Sequence, residues 1–398
     1  MGLKVGVFFG GRSVEHEVSV ISALQAVHSF DRTKYDVVPV YITKDGYMYA
    51  GDDIGKIEEY KDIPSLLKKS IRVTGVRDND RFYLARYPMK RFGLFNNSVY
   101  SEIDVAFPIV HGTNVEDGAL QGYFKTMLVP FVGSDVTASA LGMDKYAAKA
   151  VMKDNGIPVL NCKRVLMKPF FKNTKAVIKE IEDEFSYPVV VKPLNLGSSV
   201  GITKALDAAE LEEGLETAFQ YANTALVERA VQNLREINCA VLGDVDSAVA
   251  SECEEPISAN EVLDYSDKYV AGGKTGGKGM SAAKRIFPAD IPTKTRDKIK
   301  DLALKTFQAL GCCGVARVDF LTDSVSGEIW VNEINTIPGS LSFYLWGPSG
   351  LSYTQLLDRL IELALKRERE NSALSYSFDI NLLAGFAPAG LKNGTKRA

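Results

Sequence analysis

Two neighbouring stretches near residue 320 alternate apolar residues with side chains that could bind a cation or an anion. The first reads Arg317-Val318-Asp319-Phe320, and the second reads Val331-Asn332-Glu333-Ile334-Asn335. Side chains of a β-strand alternate between its faces, so Arg317 shares a face with Asp319, and Glu333 shares one with Asn335. A hairpin through the turn at 323–327 would collect these four side chains on one surface. Carboxylate and amide oxygens suit Mg²⁺, which substrate phosphates complete, whereas the arginine suits phosphoryl charge. The alternative is a solvent-facing hairpin with alternating polar residues.

A lysine followed by a glycine-rich loop is the second feature that suits a phosphate. Lys192 ends the apolar run Val189-Val190-Val191, and Gly197-Ser198-Ser199-Val200-Gly201 follows it. The glycines would allow backbone N–H groups to approach phosphate oxygens. The order differs from a P-loop, in which the lysine follows the glycines. The alternative is a surface turn with an exposed lysine.

Three further charged residues stand where a nucleotide could meet them. Lys145 opens a predicted helix, where a positive charge opposes the helix dipole unless an anion lies nearby. Glu228 ends a predicted strand and could accept a ribose hydroxyl or an adenine amino proton, and Glu236 follows shortly after. All three could equally be ordinary surface residues.

The N-terminal part has two candidates for binding a small substrate. Glu15 follows the glycine turn at 10–13, where its charge could cap the next helix or receive a substrate ammonium. The turn lacks the G-x-G-x-x-G order of a dinucleotide site, which disfavours a dehydrogenase. His111 follows the apolar run at 103–110, at the edge where open α/β sheets bind ligands, although a structural histidine fits equally well.

Composition excludes several classes of protein. The 398 residues carry 47 lysines and arginines against 50 acidic residues, a net charge of −3, which argues against nucleic-acid or anionic-membrane binding. Runs of apolar residues stay well short of the ~18 that a transmembrane helix requires. Five cysteines and three histidines without C-x-x-C spacing fit a reducing, cytoplasmic compartment and disfavour a zinc site.

The segments that must position these residues show the alternating strand and helix patterns of α/β units. Strands at 3–9, 37–42 and 103–110 alternate with helical periodicity, which predicts a parallel sheet covered on both faces. Pro39 suggests that its strand is an edge or ends there, and residues 45–100 give no clear pattern. Helices are expected at 144–155, 207–221, 293–310 and 353–369, and the part after residue 230 is richer in strands, as in an α+β arrangement.

With these motifs in this order, the chain resembles the D-alanine–D-alanine ligases of the ATP-grasp fold over residues 1–370. The motifs that carry the resemblance are Phe9-Gly10-Gly11-Arg12-Ser13-Val14-Glu15-His16-Glu17-Val18-Ser19, His111-Gly112 with Glu116-Asp117-Gly118, Met143-Asp144-Lys145, Lys192-Pro193 with the glycine-rich loop, Arg235-Glu236-Ile237, Asp264-Tyr265 with Lys268-Tyr269, and Asn332-Glu333-Ile334-Asn335-Thr336.

The resemblance implies a role for each of these positions. ATP would be bound by Lys145, Lys192, Glu228, Glu236 and Lys268. Two Mg²⁺ ions, or Mn²⁺, would be bound by Asp319, Glu333 and Asn335. The first D-alanine would be bound by Glu15 beside His111. Ser198 and Tyr269 would bond with Glu15 when a lid over residues 264–285 closes, and Arg317 with the Gly339 N–H would form an oxyanion hole.

The implied reaction joins two D-alanine molecules through an acyl phosphate, for peptidoglycan precursor synthesis. One departure concerns the second substrate, because Tyr344 stands where the family usually has a serine that binds its carboxylate. D-serine or another acceptor therefore stays open, while Tyr269 argues against a depsipeptide product. A nucleotide-binding protein of this fold without catalysis is a further alternative.

The expected organisation is a three-domain ATP-grasp fold. A Rossmann-like substrate domain covers residues 1–138, a central subdomain 139–229 and a C-terminal subdomain 230–370 with the glycine-rich lid, and residues 371–398 form a tail of unknown role. A homodimer is the family expectation.

Overall fold

The computed structural model describes residues 2–88, 98–257 and 285–376, which form three β-sheets with helices packed on them. No helix of these three ranges is both long and apolar enough to cross a membrane.

A seven-stranded sheet with the order β6-β5-β4-β3-β2-β1-β7 organises the N-terminal part. Its strands are β1 (Leu3–Gly10), β2 (Tyr35–Ile42), β3 (Met48–Ala50), β4 (Ile71–Asp78), β5 (Arg81–Arg86), β6 (Val99–Ile103) and β7 (Val105–Ile109), and its helices are α1 (His16–Ser29), α2 (Ile63–Lys69) and α3 (Ala119–Thr126). The predicted parallel arrangement holds only for β2, β1 and β7; the strands from β2 through β6 pair antiparallel. The antiparallel part coincides with the region whose pattern was unclear in the sequence.

The prediction that Pro39 marks an edge strand or a strand end is wrong, since β2 continues through Pro39 and lies between β1 and β3. The short β3 pairs only with residues 40–42 of β2, so Pro39 has a strand partner on the β1 side alone, at Val7. A proline is tolerated there because no ladder hydrogen bond to β3 is needed at that position.

A four-stranded antiparallel sheet, with the order β10-β9-β11-β8, forms the central part. Its elements are α4 (Val136–Met143), α5 (Lys145–Asp154), β8 (Cys162–Leu166), α6 (Met167–Lys172), α7 (Thr174–Glu182), β9 (Val189–Pro193), β10 (Thr203–Ala205), α8 (Ala208–Phe219) and β11 (Thr224–Arg229). Leu211 and Leu215 of α8 pack onto Val189 and Val191 of β9 in its core. Asp207 caps α8 by accepting hydrogen bonds from two of its first backbone N–H groups.

A five-stranded antiparallel sheet, with the order β14-β13-β12-β15-β16, forms the C-terminal part. Its elements are β12 (Leu234–Gly243), β13 (Ala248–Pro256), β14 (Arg285–Ile286), α9 (Thr293–Ala309), β15 (Gly314–Asp323), β16 (Ile329–Asn335), a 3₁₀ segment (Gly339–Ser349) and α10 (Tyr353–Ser372). Ile299 and Phe307 place the apolar side of α9 against this sheet.

The last helix returns to the N-terminal sheet. Ser352 and Gln355 form a capping box at its start. Leu356, Leu360 and Ile361 are buried in the same core as the strands of the seven-stranded sheet. The 3₁₀ segment between β16 and α10 is therefore held against both the N-terminal and the C-terminal parts.

Candidate active site

The hairpin expected from the sequence is formed by β15 and β16. Asp319 lies directly opposite Glu333, and Arg317 lies opposite Asn335. The Arg317 guanidinium donates from Nε and Nη2 to the two Asp319 oxygens, both at 2.6 Å, and Asn335 Nδ2 donates to Oδ2 of the same carboxylate at 3.1 Å. The structure thus brings all four predicted side chains together.

Lys145 reaches this hairpin from the start of α5. Its Nζ lies 3.1 Å from Glu333 Oε2 and donates to the Leu196 carbonyl at 2.6 Å. Asp144 caps the helix by accepting a hydrogen bond from Ala147 N. The carboxylates of Asp144 and Glu333 offset the unfavourable position of a lysine at a helix N-terminus.

A buried cluster of two lysines around one glutamate lies behind the hairpin. Lys192 Nζ donates to Glu228 Oε2 and to Asn332 Oδ1, both at 2.9 Å, and Lys149 Nζ lies 2.8 Å from Glu228 Oε1. Burial alone would raise the pKa of Glu228, but the charges of Lys149 and Lys192 outweigh it and lower that pKa to about 2. Sequence reasoning missed Lys149 and Asn332. The spacing of Lys149 four residues after Lys145, on one helix face, was the available signal.

A cleft of about 800 Å³, a volume that includes its space open to solvent, lies between the four-stranded and five-stranded sheets. Lys192 and Glu228 line it from the four-stranded sheet, and Glu236, Asp319 and Glu333 line it from the five-stranded sheet. Its apolar lining includes Leu160, Val190, Ile202, Phe320 and Leu321. A cleft with an apolar lining and charged groups suits a nucleotide.

A smaller pocket of about 320 Å³ lies beside the hairpin, between Glu15, Glu116, Lys145 and Glu333. Ser198 Oγ donates a short hydrogen bond to Glu15 Oε1. The Glu15 carboxylate also lies against the backbone of Gly112 and Gly197, where a Cβ atom would approach it to 2.8 Å and 2.7 Å respectively. Glycines at these two positions let both loops close on the carboxylate.

Glu116, which had no role predicted from the sequence, is a residue of this pocket whose pKa is strongly raised. It accepts hydrogen bonds from Gly112 N and Ile337 N, each at 2.9 Å. Burial raises the pKa of its carboxyl, and the neighbouring Glu15 charge adds to this, so that the pKa reaches about 8. Its presence in the Glu116-Asp117-Gly118 motif was the signal that pointed to it.

His111 lies in this region with both ring nitrogens bonded inside the protein. Nδ1 lies 2.8 Å from the Ile337 carbonyl oxygen and Nε2 lies 3.1 Å from Ser22 Oγ, and the residue is only 3% exposed. Burial lowers the pKa of the imidazole to about 4. In the structure, His111 therefore binds the backbone of the segment that carries Gly339.

Tyr344 belongs to a second cluster next to Arg317. Its hydroxyl donates to Glu254 Oε1 at 3.2 Å, and Arg285 stacks over its ring at 3.9 Å while donating to Glu254 Oε2 at 3.1 Å. Burial raises the pKa of Tyr344, and the Glu254 charge adds to this. Sequence reasoning missed Glu254 and Arg285, which the pairing of β13 with β14 brings together.

Lys268, Tyr269 and all of the expected lid before Arg285 lie outside the described residues. Within the described ranges, no three His, Cys, Asp or Glu side chains converge as a metal-binding group. Asp319 nevertheless lies directly opposite Glu333, and the Asn335 side chain is hydrogen-bonded to the Asp319 carboxylate. That donor set fits Mg²⁺, which binds few protein oxygens and keeps water or phosphate ligands.

Comparison with known proteins identifies the fold and the family. Residues 4–134 match the family model described as D-ala D-ala ligase N-terminus, and residues 151–362 match the one described as D-ala D-ala ligase C-terminus. The D-alanine–D-alanine ligase of Acetivibrio thermocellus is 42% identical over 378 residues, covering 92% of this chain and 97% of that protein.

Two solved structures agree with this result. The D-alanine–D-alanine ligase from Coxiella burnetii has a TM-score of 0.76 at 30% identity, covering 93% of this chain and 96% of that one. The VanG D-Ala:D-Ser ligase from Enterococcus faecalis has a TM-score of 0.75 at 33% identity, covering 92% and 100%.

The fold is the ATP-grasp fold, which these ligases share, and it places the chain among the ATP-dependent ligases. Within that class, the chain belongs to the D-alanine–D-alanine ligase family. Both expectations from the sequence, the fold class and the family, are confirmed. Ligases of this family depend on ATP and generally use Mg²⁺.

Proposed function

We propose that this protein joins two D-alanine molecules into D-alanyl-D-alanine, with ATP converted to ADP and phosphate, for peptidoglycan precursor synthesis. The observation that carries the proposal is the register of β15 and β16, which aligns Asp319 with Glu333 and Arg317 with Asn335 beside a cleft lined by Lys192 and Glu228. Phosphoryl transfer from ATP is catalysed largely by positioning and charge neutralisation, which metal-binding oxygens and nearby cationic side chains can supply.

ATP would occupy the cleft between the two antiparallel sheets. Lys145 and Lys192 would contact its phosphates, and Glu228 and Glu236 its nucleoside. Asp319, Glu333 and Asn335 would hold two Mg²⁺ ions, or Mn²⁺, which supply charge neutralisation for the phosphates. The ion pairs of Lys145 with Glu333 and of Arg317 with Asp319 support this assignment, since anion-binding and cation-binding groups already lie side by side.

The first step forms an acyl phosphate. The carboxylate oxygen of one D-alanine attacks the γ-phosphorus, the bond to the β-phosphate oxygen breaks, and ADP leaves. Glu15 would hold the ammonium of this D-alanine, supported by its place in the small pocket beside Glu333. Lys268 would reach the γ-phosphate, and Tyr269 would join the contact between Glu15 and Ser198.

The second step forms the peptide bond. The amine of the second D-alanine attacks the acyl carbon and a C–N bond forms. The bond between the acyl carbon and the phosphate oxygen then breaks, and inorganic phosphate leaves the tetrahedral intermediate carrying the proton that the amine has lost. Arg317 and the Gly339 N–H would stabilise the oxyanion, and a closed lid would keep water from the acyl phosphate.

The alternative is an acceptor other than D-alanine, such as D-serine. Tyr344 lies beside Arg317 with its hydroxyl on Glu254, so this chain offers an aromatic ring and a carboxylate where the second amino acid would bind. One of the similar solved structures is a D-Ala:D-Ser ligase. A cytoplasmic location, a homodimer and the domain limits at residues 138, 229 and 370 are further parts of the proposal.

A coupled assay of ADP release tests the proposal, with Mg²⁺, ATP and D-alanine supplied to the full chain. We expect ADP release to depend on D-alanine and the product to be D-alanyl-D-alanine. ADP release that D-alanine leaves unchanged would refute ligation, whether or not ATP binds. Product identification with D-serine added at equal concentration decides the acceptor, because preferential formation of D-alanyl-D-serine would favour the alternative.

A further inference from the structure

The backbone that carries Gly339 is bonded at both ends to side chains from the N-terminal part. The Ile337 carbonyl oxygen lies 2.8 Å from His111 Nδ1, and Ser340 N donates to Ser22 Oγ at 2.9 Å. His111 Nε2 and Ser22 Oγ lie 3.1 Å apart. The two side chains therefore form a continuous bridge between the carbonyl group before Gly339 and the N–H group after it.

The chemistry of these groups gives the bridge one arrangement of protons. A carbonyl oxygen only accepts, so His111 Nδ1 carries the hydrogen that it donates to Ile337. The imidazole is neutral at physiological pH because burial lowers its pKa to about 4. Nε2 then accepts from the Ser22 hydroxyl, whose oxygen accepts from Ser340 N–H. Each group in the bridge has the partner that it needs.

The segment that this bridge spans is strained. Ser340, Leu341 and Ser342 have φ values of 51°, 52° and 47°, in the left-handed region that residues other than glycine rarely adopt. Such a conformation is unfavourable for residues other than glycine and persists only where the surroundings impose it. The three residues are at most 2% exposed, so packing and hydrogen bonds both restrain them.

A second anchor restrains the start of the same segment. Glu116 accepts hydrogen bonds from Ile337 N at 2.9 Å and from Thr336 Oγ1 at 3.4 Å. Helix α1 supplies Ser22 and the loop after β7 supplies His111 and Glu116. The N-terminal part thereby determines the backbone of a segment that follows the C-terminal hairpin.

We propose that Ser22 and His111 act as a positioning pair that orients the Gly339 N–H for the tetrahedral intermediate. Ser22 acts through the backbone of Ser340 and His111 through the backbone of Ile337. The inference rests on the proposed ligase function, in which the Gly339 N–H is an oxyanion donor. It adds Ser22, a residue outside the motifs that identify the family.

The central test is kinetic and uses Ser22→Ala. Loss of an oxyanion donor typically lowers kcat by about 10²–10³-fold, and a displaced donor loses part of that effect. We expect kcat for D-alanine-dependent ADP release to fall by roughly 10–100-fold. The KM for ATP is expected to stay within about twofold, because Ser22 does not line the nucleotide cleft.

Two variants separate positioning from general stability. Ser251→Ala is the matched control: Ser251 is also buried, accepts a hydrogen bond from Ala240 N at 2.9 Å and donates to the Glu252 carbonyl at 2.8 Å. It is expected to lower the melting temperature as much as Ser22→Ala does, with kcat unchanged. Ser22→Thr keeps a hydroxyl and is expected to retain kcat within about threefold.

A double-mutant cycle tests whether the pair acts as a unit. His111→Asn keeps a side-chain N–H donor for Ile337 but removes the link to Ser22. If the two residues act together, Ser22→Ala combined with His111→Asn loses little more kcat than the worse single variant. If the fold-losses in kcat of the two single variants multiply in the double variant, the residues act independently, and the proposed pair is contradicted.

Other results would also contradict the inference. The inference would be contradicted if Ser22→Ala kept the kcat of the unmodified protein. It would also be contradicted if kcat fell in Ser251→Ala, or in Ser22→Thr, as much as in Ser22→Ala. Failure of the proposed function is distinguishable, because the unmodified protein would then show no D-alanine-dependent ADP release.

Discussion

Two regions of the site satisfy their polar groups in different ways. In the segment 336–340, side chains from the N-terminal part bond to backbone groups, and no cationic side chain takes part in these bonds. In the hairpin, Asp319 and Glu333 are each held by a cationic side chain of the protein itself. The first region is preorganised as it stands. The second must exchange partners when ATP and metal ions bind.

The carboxyl groups buried beside these two regions also differ: Glu228 lies behind the hairpin, and Glu116 binds the segment 336–340. Two lysines hold the pKa of Glu228 down to about 2, whereas burial and the Glu15 charge raise that of Glu116 to about 8. The pKa of a buried carboxyl group thus falls where cations outweigh the loss of solvent, and rises where burial and a like charge outweigh the hydrogen bonds that the group accepts.

The largest effect on activity is expected for Glu333→Gln. The variant removes a metal-binding charge, and metal ions contribute several kcal/mol of charge stabilisation in such reactions. We expect kcat to fall by roughly 10³-fold or more. The melting temperature should fall less than in Glu228→Gln, because the Glu333 side chain is 18% exposed whereas that of Glu228 is 1% exposed. The exposed Glu328→Gln, in the turn of the same hairpin, is the control. An active Glu333→Gln variant would remove Glu333 from the metal site.

The largest effect on stability is expected for Glu228→Gln, which leaves two buried lysines without their anion. Removing one partner of a buried ion pair costs about 3–5 kcal/mol. Urea denaturation is expected to show a loss of that size in the free energy of unfolding. Asp183→Asn removes an exposed ion pair to Lys179 at the end of α7 and is expected to change nothing measurable. Equal effects in the two variants would contradict the buried cluster.

The pH dependence of stability is expected to have opposite signs in the two regions. The folded-state pKa of Glu228 lies below its unfolded value of about 4.5, so its contribution is present above pH 4.5 and is lost as pH falls towards 2. The folded-state pKa of Glu116 lies above 4.5, so its contribution to stability is lost as pH rises from 4.5 towards 8. A tenfold difference in proton affinity between the folded and unfolded states corresponds to about 1.4 kcal/mol of stability.

Glu116→Gln separates the two contributions. Between pH 4 and 6.5 the lowered pKa of His111 makes stability rise with pH and opposes the contribution of Glu116. Gln cannot ionise, so the downward slope expected between pH 6.5 and 8 should disappear in this variant, while the acid limb below pH 4.5 stays. A slope identical to that of the unmodified protein would show that Glu116 is already charged in the folded state.

The smallest effect is expected for Tyr344→Phe, which removes one hydroxyl and leaves the ring against Arg285. A hydrogen bond to a charged group contributes about 1.5–3 kcal/mol. The KM for the acceptor amino acid is expected to change by roughly tenfold, while the KM for ATP stays the same. A change in the KM for ATP alone would show that Tyr344 does not face the acceptor.

Local pattern was sufficient to predict the hairpin, because alternation along a strand fixes which side chains share a face. It was also sufficient for β1, α5 and α9, whose ends lie within a few residues of the expected ones. It failed for β3 to β6, which are short antiparallel strands without strong apolar runs. The contacts of Ser22 and Glu254 depend on how distant segments pack, and sequence spacing does not encode such long-range contacts.

A crystal structure with Mg²⁺ and a non-hydrolysable ATP analogue tests the central claim most directly. We expect cations on the oxygens of Asp319, Glu333 and Asn335, with Lys145 and Arg317 released towards phosphate. The claim would be contradicted if the analogue bound in the cleft while Asp319 stayed paired with Arg317 and Glu333 with Lys145. No cation would then lie between the two carboxylates.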